Sequence, residues 1–482
     1  KLNDAQVKQL AKALGMRVDE VQTRLADSSK DFIYLKRQLS PEQSGSVASL
    51  NLPGISLQHE YRRFYPAGEE FAQMLGFTGQ DDNGQEGLEL VLQERLAGKV
   101  GSQRVIKDRR GHIVEDAGSL TPPKPGGDIA LSLDSRVQHL AYRELKQAVM
   151  QNMAKAGAVV VLDAKSGEVL ALANYPSYNP NNRTHVSTQS MRNRAVADVF
   201  EPGSTMKPFT IATALDTGKV RPDTPINTEH GAFTVGNKTI HDTHPEASLT
   251  VSQVIQKSSN VGASKIALSM EPEVMWKTFD SAGFGSHTGS NFPGEAIGKL
   301  REAKTWKPIE QATMSYGHGI SVNLLQLARA YTIFADNGEI KPISLLKLEQ
   351  PSAGHPVFSS KTAAQLRVML ESVVLPGGTA PLAQVAGYRV AGKTGTAHKL
   401  DGRHYSNHYV ASFVGLAPVS DPRLIVAVMI DEPSNGQYYG GLVAAPVFSQ
   451  VVGEVLHLYN VPNDAPLDNV MAAPAEIVRE EI

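Results

Sequence analysis

The stretch GAVVVLDAKSGEVLALAN, residues 157–174, carries the clearest fold signal in this chain. Two short apolar runs within it flank a turn that ends at Gly167, a pattern that predicts a hairpin of two buried strands. The same pattern returns near the end of the chain, at 409–418 and 423–433. The chain between these two hairpins is mainly helical and loop in character. Strands at both ends of a domain, with helices inserted, favour an α+β fold around an antiparallel sheet.

The segment TPPKPGG, residues 121–127, is the best candidate for a linker because its prolines and glycines cannot continue a helix or a central strand. The 482 residues exceed one ordinary domain. We therefore predict a non-catalytic N-terminal unit over 1–124 and a main domain over 125–462. The tail 463–482 is rich in Pro, Ala and acidic residues, and we predict that it is mobile.

Two further local patterns predict secondary structure at the start of each unit. Asp4 precedes an apolar pattern closed by Gly15, which predicts a capped first helix. After the linker, the alternation in DIALSLD, residues 128–134, predicts a strand, and an amphipathic helix is expected to follow from Ser135.

Composition excludes several classes of function. A formal net charge of −2 gives no reason to expect nucleic acid as a partner. The absence of cysteine removes disulfides, thiol catalysis and Cys-type zinc sites, and it leaves the compartment open. Apolar runs such as 424–430 are too short to span a bilayer. Because the chain begins at Lys1 without an apolar signal core, we expect a processed soluble part whose membrane anchor lies upstream.

A chemical signal lies in EPGSTMKPF, residues 201–209, where Ser204 and Lys207 occupy positions i and i+3 of an expected helix. Their side chains would lie on one face, about 5–6 Å apart at Cβ. A serine hydroxyl needs a base to become a nucleophile, and a lysine serves as one only when it is neutral. A second cation about 4 Å away would favour that form by roughly 4 kcal/mol, on the order of three pKa units.

The second cation is expected at Lys393, in KTGT at the end of an apolar alternation typical of a strand. Gly395 would let a bound acyl group or peptide approach the backbone closely. The strand edge could pair with an extended peptide. The backbone N–H groups of Thr396 and Ser204 could face a developing oxyanion.

A third motif is Ser258-Ser259-Asn260, in an expected break between two helices, the first of which begins with a Thr250/Gln253 capping box. At this position Ser258 could relay a proton between the two lysines, and Asn260 could hydrogen-bond a substrate amide.

Each motif alone is weak, because S-x-x-K recurs at Ser344, K-[ST]-G at Lys165, and S-x-N at Ser177 and Ser321. Taken singly, Ser204 reads more readily as a helix cap, Lys393 as a solvated strand lysine and Asn260 as a turn residue. The ordered set, each member in the local context that its role requires, favours an active site.

The set resembles the penicillin-binding proteins, and serine β-lactamases share the same trio. Longer stretches resemble class B of that family, in particular its division-septum transpeptidases of Gram-negative bacteria. These stretches are NRAVADVFEPGSTMKPF (193–209), SYGHGISVNLLQLARAY (315–331) and YYGGLVAAPVF (438–448) in the main domain, and RRFYPAGEEFAQMLGFTG (62–79) and GQEGLELVLQERLAG (84–98) in the N-terminal unit. The family's membrane anchor and its R-G-x-I-x-D-R-N-G stretch are not in this sequence, and DRRGHIVED (108–116) resembles that stretch only loosely.

The resemblance implies a transpeptidase domain with a central antiparallel sheet and helices on both faces, plus an elongated N-terminal pedestal that is incomplete here. It implies a peptidoglycan D,D-transpeptidase at the division septum, in which Ser204 attacks the D-Ala–D-Ala carbonyl of a stem peptide and an amine of a second stem peptide takes the acyl group. Lys207 would be the base, Ser258 the relay and Asn260 a positioning group. Lys393, Thr394, Gly395 and Thr396 would form the carboxylate-binding strand.

The resemblance also implies partners and a location. β-Lactams would acylate Ser204 as substrate mimics, no cofactor is implied, and divisome membrane proteins including a glycan polymerase would be partners. The chain would lie on the periplasmic face of the inner membrane.

Rival readings differ at defined points. A class A β-lactamase would need an E-x-x-L-N segment, which the sequence lacks, and a bifunctional class A penicillin-binding protein would need a glycosyltransferase domain larger than the residues before the linker. A D,D-carboxypeptidase or a β-lactam-binding sensor or scaffold would keep the same acylation residues. A zinc site is disfavoured, because His404 and His408 have H-x-x-x-H spacing but flank a Tyr-Ser-Asn turn with no glutamate between them.

Overall fold

The computed structural model describes residues 2–26, 32–107, 113–402 and 404–471. Contacts divide the chain into two compact units, one made of 1–66 and 76–127 and the other of 67–75 and 128–482. Within the described ranges, no helix has both the length and the apolarity that crossing a membrane requires.

Up to residue 127 the chain forms short elements. The helices there are α1 (Asp4–Leu14), α2 (Val18–Ala26), α3 (Pro41–Ser49), α4 (Ala72–Leu75), α5 (Gly87–Val91) and α6 (Gln93–Leu96). The strands are β1 (Phe77–Thr78), β2 (Gly84–Glu86), β3 (Ser102–Lys107) and β4 (Ile113–Thr121), and they pair as the antiparallel hairpins β1–β2 and β3–β4.

The first helix forms where the apolar pattern predicts it, but its cap is a different residue. Val7, Leu10 and Leu14 are buried, and Gly15 ends the helix in the left-handed conformation with φ 61°. The N-cap is Asn3, not Asp4: the Asn3 side chain accepts the N–H of Gln6, whose side chain in turn accepts the N–H of Asn3. This reciprocal pair is a capping box, and it fixes the helix start one residue earlier.

Besides α4, which lies in its 67–75 segment, the second unit contains the helices that follow residue 127. They are α7 (Ser135–Gln151), α8 (Thr188–Met191), α9 (Arg194–Ala197), α10 (Lys207–Asp216), α11 (Val251–Lys257), α12 (Asn260–Leu268), α13 (Pro272–Ser281), α14 (Pro308–Met314), α15 (Leu324–Ala330), α16 (Thr332–Ala335), α17 (Ser360–Ser372), α18 (Gly440–Val443) and α19 (Ala445–Leu458).

Its strands are β5 (Ala156–Asp163), β6 (Val169–Tyr175), β7 (Pro225–Asn227), β8 (Ala232–Val235), β9 (Lys238–His241), β10 (Ser248–Thr250), β11 (Glu339–Ile340), β12 (His355–Pro356), β13 (Ala391–Asp401), β14 (His404–Ala417) and β15 (Leu424–Asp431). Short antiparallel pairs join β7 to β10, β8 to β9 and β11 to β12.

The core of this unit is a five-stranded antiparallel sheet in the order β13-β14-β15-β5-β6. The two predicted hairpins are therefore confirmed, and they meet where Val160 of β5 lies opposite Ala427 of β15. Every residue of β15 is buried, which is typical of a strand covered on both faces. Helices α7 and α19 pack together on the sheet, and α9 and α15 form a second group against it. The α+β class with helices on both faces is confirmed.

The predicted strand at 128–134 is wrong, because this segment changes partner along its length. Leu131 forms a single bridge to Leu346, and the N–H of Ser132 donates to the carbonyl of Leu345. Two residues later, the N–H of Asp134 donates to Leu170 of β6. The segment is therefore extended but is not a strand of a sheet. Its hydrogen bonds go first to residues 345–346 and then to β6, so it pairs with neither along its length. The helix from Ser135 forms as predicted.

Of the predicted mobile tail, residues 472–482 lie outside the described part, as do residues 108–112 of DRRGHIVED. The preceding residues of the tail make specific contacts. Asp464 Oδ1 accepts the N–H of Arg389 at 2.7 Å, and Asn469 Oδ1 accepts the N–H of Gly387 at 2.9 Å.

Candidate active site

Ser204 lies in a 3₁₀ turn, Gly203–Met206, that leads directly into α10. Pro208 is tolerated behind it because the first helical turn has no internal partner for the missing N–H. The turn and helix bring Ser204 Oγ and Lys207 Nζ to 2.8 Å. Both side chains are buried, with 4% and 0% of their surface exposed.

Lys207 Nζ also contacts both oxygen atoms of Ser258. The carbonyl oxygen of Ser258 lies at 2.5 Å and its Oγ at 3.0 Å. The aromatic ring of Tyr316 lies alongside, with its centroid 6.0 Å from Nζ. A carbonyl oxygen can only accept, so one hydrogen of the amine is committed to it.

Ser258 reaches this position because it ends α11 in the left-handed conformation, with φ 61°. The capping box of Thr250 and Gln253 starts α11 as predicted, with the Thr250 hydroxyl accepting the N–H of Gln253 at 3.2 Å. After Ser258 the chain resumes as α12, whose first residue is the buried Asn260. The predicted break between two helices is therefore present, and it directs both oxygens of Ser258 toward Lys207.

Lys393 enters from β13, the edge strand of the main sheet. Its Nζ donates to Ser258 Oγ at 2.9 Å and lies 3.2 Å from Thr394 Oγ1. The side chain of Lys393 is completely buried. One hydroxyl, that of Ser258, thus contacts two lysine amines that come from a helix and from a strand.

The remaining residues of the KTGT strand are also buried in this region. Thr394 Oγ1 lies 2.8 Å from Thr379 Oγ1, and Thr396 Oγ1 accepts the N–H of Gly440 at 3.0 Å. The structure therefore joins Ser204, Lys207, Ser258, Lys393 and Thr394 in a chain of hydroxyl and amine groups that runs from Ser204 to Thr379. Gly395 and Thr396 follow on the same strand, and Asn260 is buried two residues after Ser258.

Gly395 lies against the turn that carries Ser204, where a side chain would not fit. A Cβ built at this position would lie 2.6 Å from Ser412 Oγ and 2.7 Å from the carbonyl oxygen of Pro202. A second close approach exists at Gly317, where φ is +90° and a Cβ would lie 2.2 Å from the carbonyl oxygen of Gly203. Side chains at either position would push the Ser204 turn off its supports.

The loop 315–319 and β14 bring further polar groups to the residues before Ser204. Glu201 Oε1 accepts the N–H of Gly319 at 2.8 Å, and its Oε2 accepts the phenolic O–H of Tyr405 at 3.0 Å. Burial is the main cause that raises the pKa of Glu201, and these two hydrogen bonds oppose it. His318 lies beside them, and burial, followed by the nearby amine of Lys207, lowers the pKa of its imidazole to about 4.

Sequence reasoning missed several residues that hold the motifs in place. Asp242 accepts from the Ser259 hydroxyl at 2.5 Å and from the N–H of Val261 at 3.0 Å, which fixes the start of α12. Tyr331 donates its hydroxyl to the carbonyl of Thr205 at 2.9 Å. Glu201 stands inside the quoted stretch EPGST, so a carboxylate next to the nucleophile was a usable signal. Asp242 and Tyr331 carry no local signal.

The histidine pair does not flank a turn as expected, because β14 starts at His404 and includes His408. Four residues of strand separate their Cα atoms by about 13 Å. In the described ranges, no group of three or more His, Asp or Glu side chains is arranged to hold a metal.

Family models match the chain in two parts. The penicillin binding protein transpeptidase domain matches residues 157–453, and the penicillin-binding protein dimerisation domain matches residues 1–131.

Named relatives cover nearly the whole chain. A probable peptidoglycan D,D-transpeptidase PenA of Neisseria meningitidis serogroup A is 45% identical over 466 residues, which are 96% of this chain and 80% of the relative. The peptidoglycan D,D-transpeptidase FtsI of Escherichia coli K12 is 44% identical over 461 residues, which are 95% of this chain and 78% of that one. Among solved structures, the apo transpeptidase domain of Burkholderia pseudomallei penicillin-binding protein 3 is 50% identical, with a TM-score of 0.66, and covers 71% of this chain and 100% of that one.

Proposed function

The chain belongs to the class B penicillin-binding proteins, and from that premise we propose how it works as a peptidoglycan D,D-transpeptidase. The observation that carries the mechanism is the hydrogen-bonded series Ser204–Lys207–Ser258–Lys393, with successive separations of 2.8, 3.0 and 2.9 Å. It joins a nucleophile to a base, and the base to a second cation.

In the first step, Ser204 Oγ attacks the carbonyl of the D-Ala–D-Ala bond while Lys207 takes the hydroxyl proton. A neutral lysine amine has two hydrogens and one lone pair. The Ser258 carbonyl accepts one hydrogen and Ser258 Oγ can accept the other, which turns the lone pair to Ser204. The proton then passes to the departing amine of D-alanine, so that the acyl–O–Ser204 ester forms as the peptide bond breaks.

Lys393 keeps the amine of Lys207 in its neutral form. Two ammonium groups on one hydroxyl would repel, and burial costs each of them its hydration, so the pair is more stable with one charge than with two. The charged Lys393, with the hydroxyls of Thr394 and Thr396, then binds the terminal carboxylate of the substrate, while Gly395 lets the strand lie close to the Ser204 turn.

The oxyanion is stabilised by the N–H groups of Ser204 and Thr396. The two backbones approach each other closely, since a Cβ at Gly203 would lie 3.6 Å from the nitrogen of Thr396. Losing one such donor costs about 10²–10³ in rate in other acyl-transfer enzymes. Asn260, at the start of α12, positions an amide of the stem peptide.

In the second step, an amine of a neighbouring stem peptide attacks the acyl-enzyme and regenerates Ser204. β-Lactams acylate the same serine, and their open ring blocks this step. We further propose that the chain serves the division septum on the periplasmic face of the inner membrane, with divisome membrane proteins and a glycan polymerase as partners. The resemblance of its motifs to the septal members of the family supports this assignment.

The test is intact mass after exposure to benzylpenicillin, with the wild type compared with Ser204→Ala. We expect one adduct that persists for minutes in the wild type and none in the variant. An adduct on another residue would overturn the mechanism. Turnover of a thioester analogue of the donor, with and without an acceptor amine, then separates transfer to an amine from the hydrolysis of a carboxypeptidase and from the inertness of a sensor.

A further inference from the structure

Glu201 is a buried carboxylate next to the nucleophile that the acylation step does not use. It precedes Ser204 by three residues, so their Cα atoms are at most about 10 Å apart. Only 9% of its surface is exposed. The groups that hold it are at the surface: Gly319 is exposed, and Tyr405 has 52% of its surface exposed. The carboxylate therefore lies just beneath the surface, between Gly319 and Tyr405.

A continuous wall of rings connects this carboxylate to the catalytic amine. The Tyr316 ring lies 6.0 Å from Lys207 Nζ, and its centroid is 5.1 Å from that of His318. His318 is 6.2 Å from Tyr405, whose hydroxyl donates to Glu201. Glu201 thus lies between Gly319 of the 315–319 loop and Tyr405 of β14, whereas Lys393 and Thr396 belong to β13.

No cation neutralises Glu201 in the described part of the chain. None of the ion pairs found there includes it, and Arg301, which approaches Gly319 of the same loop, pairs with Glu310 at 2.9 Å. The imidazole of His318 has its pKa lowered to about 4, mainly by burial and then by Lys207, so it is neutral near pH 7. An unpaired buried carboxylate is costly, and burial accordingly raises its pKa.

A buried carboxylate without a cationic partner loses its hydration and gains no ion pair, which points to a cationic ligand. If Glu201 served only to tie Gly319 to Tyr405, a glutamine would do so without a charge to desolvate, because its carbonyl oxygen could accept the N–H of Gly319 and its NH2 could donate to the Tyr405 hydroxyl. The acceptor of a transpeptidase is an amine, and an alkyl amine with a pKa near 10.4 arrives as an ammonium ion at neutral pH.

We infer that Glu201 forms the acceptor site, where it binds the incoming amine as an ammonium ion and takes its proton. This inference rests on the proposed transpeptidase function and adds the group that receives the second substrate. His318 and Tyr405 form the walls of the site, and the uncompensated charge selects a cation over water, which would hydrolyse the acyl-enzyme.

The protons balance over two transfers. The ammonium ion gives one proton to Glu201, which yields a neutral amine and a carboxylic acid. Burial disfavours both charges of the initial pair and so lowers the cost of this transfer. The neutral amine then attacks the acyl–O–Ser204 carbonyl, and Lys207 carries its second proton to Ser204 Oγ as the ester bond breaks. Glu201 returns its proton to solvent.

The experiment measures how the acyl-enzyme divides between an amine and water, using the full chain and a thioester donor at pH 7.5. One acceptor is Nα-acetyl-lysine amide, whose side-chain amine is cationic, and the other is hydroxylamine, which is neutral. We expect Glu201→Gln to lower the ratio of transfer to hydrolysis about tenfold for the cationic amine, consistent with the loss of a hydrogen bond to a charged group. The ratio for hydroxylamine should change less than threefold.

Two variants serve as comparisons. Glu302→Gln removes an exposed carboxylate that pairs with Lys304 at 2.5 Å, and it should leave both ratios unchanged. Glu201→Asp keeps the charge and should retain more transfer to the cationic amine than Glu201→Gln. If Glu201→Gln does not fold, Tyr405→Phe at a half-exposed position takes its place. We expect this variant to lower the ratio of transfer to hydrolysis by a smaller factor, and only for the cationic amine.

If Glu201→Gln lowers the ratio of transfer to hydrolysis equally for both acceptors, Glu201 acts only through the fold of the loop. If the ratio does not fall for either acceptor, Glu201 does not contact the acceptor. Either result overturns the inference. A wild type that penicillin acylates but that transfers to neither acceptor would also overturn it, while leaving Ser204 acylation intact. A wild type that penicillin does not acylate would instead contradict the proposed function.

Discussion

The amines of Lys207 and Lys393 contact the same oxygen atom, Ser258 Oγ, at 3.0 and 2.9 Å. One lysine comes from the helix that follows the nucleophile and the other from the edge strand of the sheet. Two ammonium groups on one buried hydroxyl would repel each other, so at least one of the two amines must be neutral. The first two predictions follow from this arrangement.

Replacing Lys207 by arginine should slow acylation strongly. A guanidinium keeps its proton under all ordinary conditions, so the positive charge remains but the base is lost. We expect the rate of penicillin acylation to fall by about 10²–10⁴, measured by stopped-flow or by intact mass against time. Lys219→Arg, at an exposed position after α10, is the matched control and should acylate at the wild-type rate. Acylation of Lys207→Arg within tenfold of the wild type would contradict the assigned base.

Ser258 allows its side chain and its backbone to be tested separately. Ser258→Ala and Ser258→Gly both remove the hydroxyl, and we expect acylation to fall by about 10² in each. Their stabilities should differ, because Ser258 has φ 61° and alanine pays about 1–2 kcal/mol in that region, whereas glycine does not. Thermal unfolding should therefore place the glycine variant above the alanine variant. If the alanine variant were the more stable one, the left-handed conformation at this residue would be wrong.

Gly395→Ala should damage both stability and acylation. The new methyl group would meet Ser412 Oγ at 2.6 Å and the Pro202 carbonyl at 2.7 Å, so the Ser204 turn must move away from β13. We expect a loss of about 1–3 kcal/mol, the usual cost of overpacking, with acylation falling at least tenfold. Gly45→Ala, in α3 with nothing within 4 Å of the added atom, should leave acylation unchanged and raise stability by about 0.5–1 kcal/mol, because alanine is the better helix former. A fully active Gly395→Ala would show that the turn does not rest on this glycine.

His318 should make the fold lose stability in mild acid. Its folded pKa is about 4, lowered by burial and by Lys207, and the unfolded value is near 6.5. Between these values the unfolded chain binds a proton that the folded chain does not, so stability falls as the pH drops from about 6.5 to 4. Melting temperatures across this range should fall less steeply for His318→Gln than for the wild type. Parallel profiles for the two proteins would contradict this assignment.

The sequence was sufficient wherever function depends on neighbours along the chain. Ser204 and Lys207 meet because three helical positions bring them together, and Ser258 lies in a break that two helical patterns bracket. The two hairpins were predictable from apolar runs of strand length. What remained out of reach depends on tertiary contacts: Thr379 with Thr394, and Glu201 with Tyr405, pair across 15 and 204 residues of chain.

Local errors have equally specific causes. Asn3 and Asp4 are both good capping residues, and only the position of Gln6 decides between them. The alternation in 128–134 satisfied a strand pattern, but its hydrogen bonds go to two different segments. His404 and His408 were expected to flank a Tyr-Ser-Asn turn, whereas both lie on β14.

The order of strands in the central sheet ties activity to completion of the polypeptide. β5 and β6 come early in their unit, yet β5 pairs with β15, and Lys393 is carried by β13 at the far edge. A growing chain that ends before residue 391 already contains Ser204, Lys207 and Ser258, but it lacks three strands of the sheet and the second amine. Closing so long a loop is slow and comes late in folding. Truncated products of interrupted synthesis are therefore inert toward the cell wall, and toward penicillin as well.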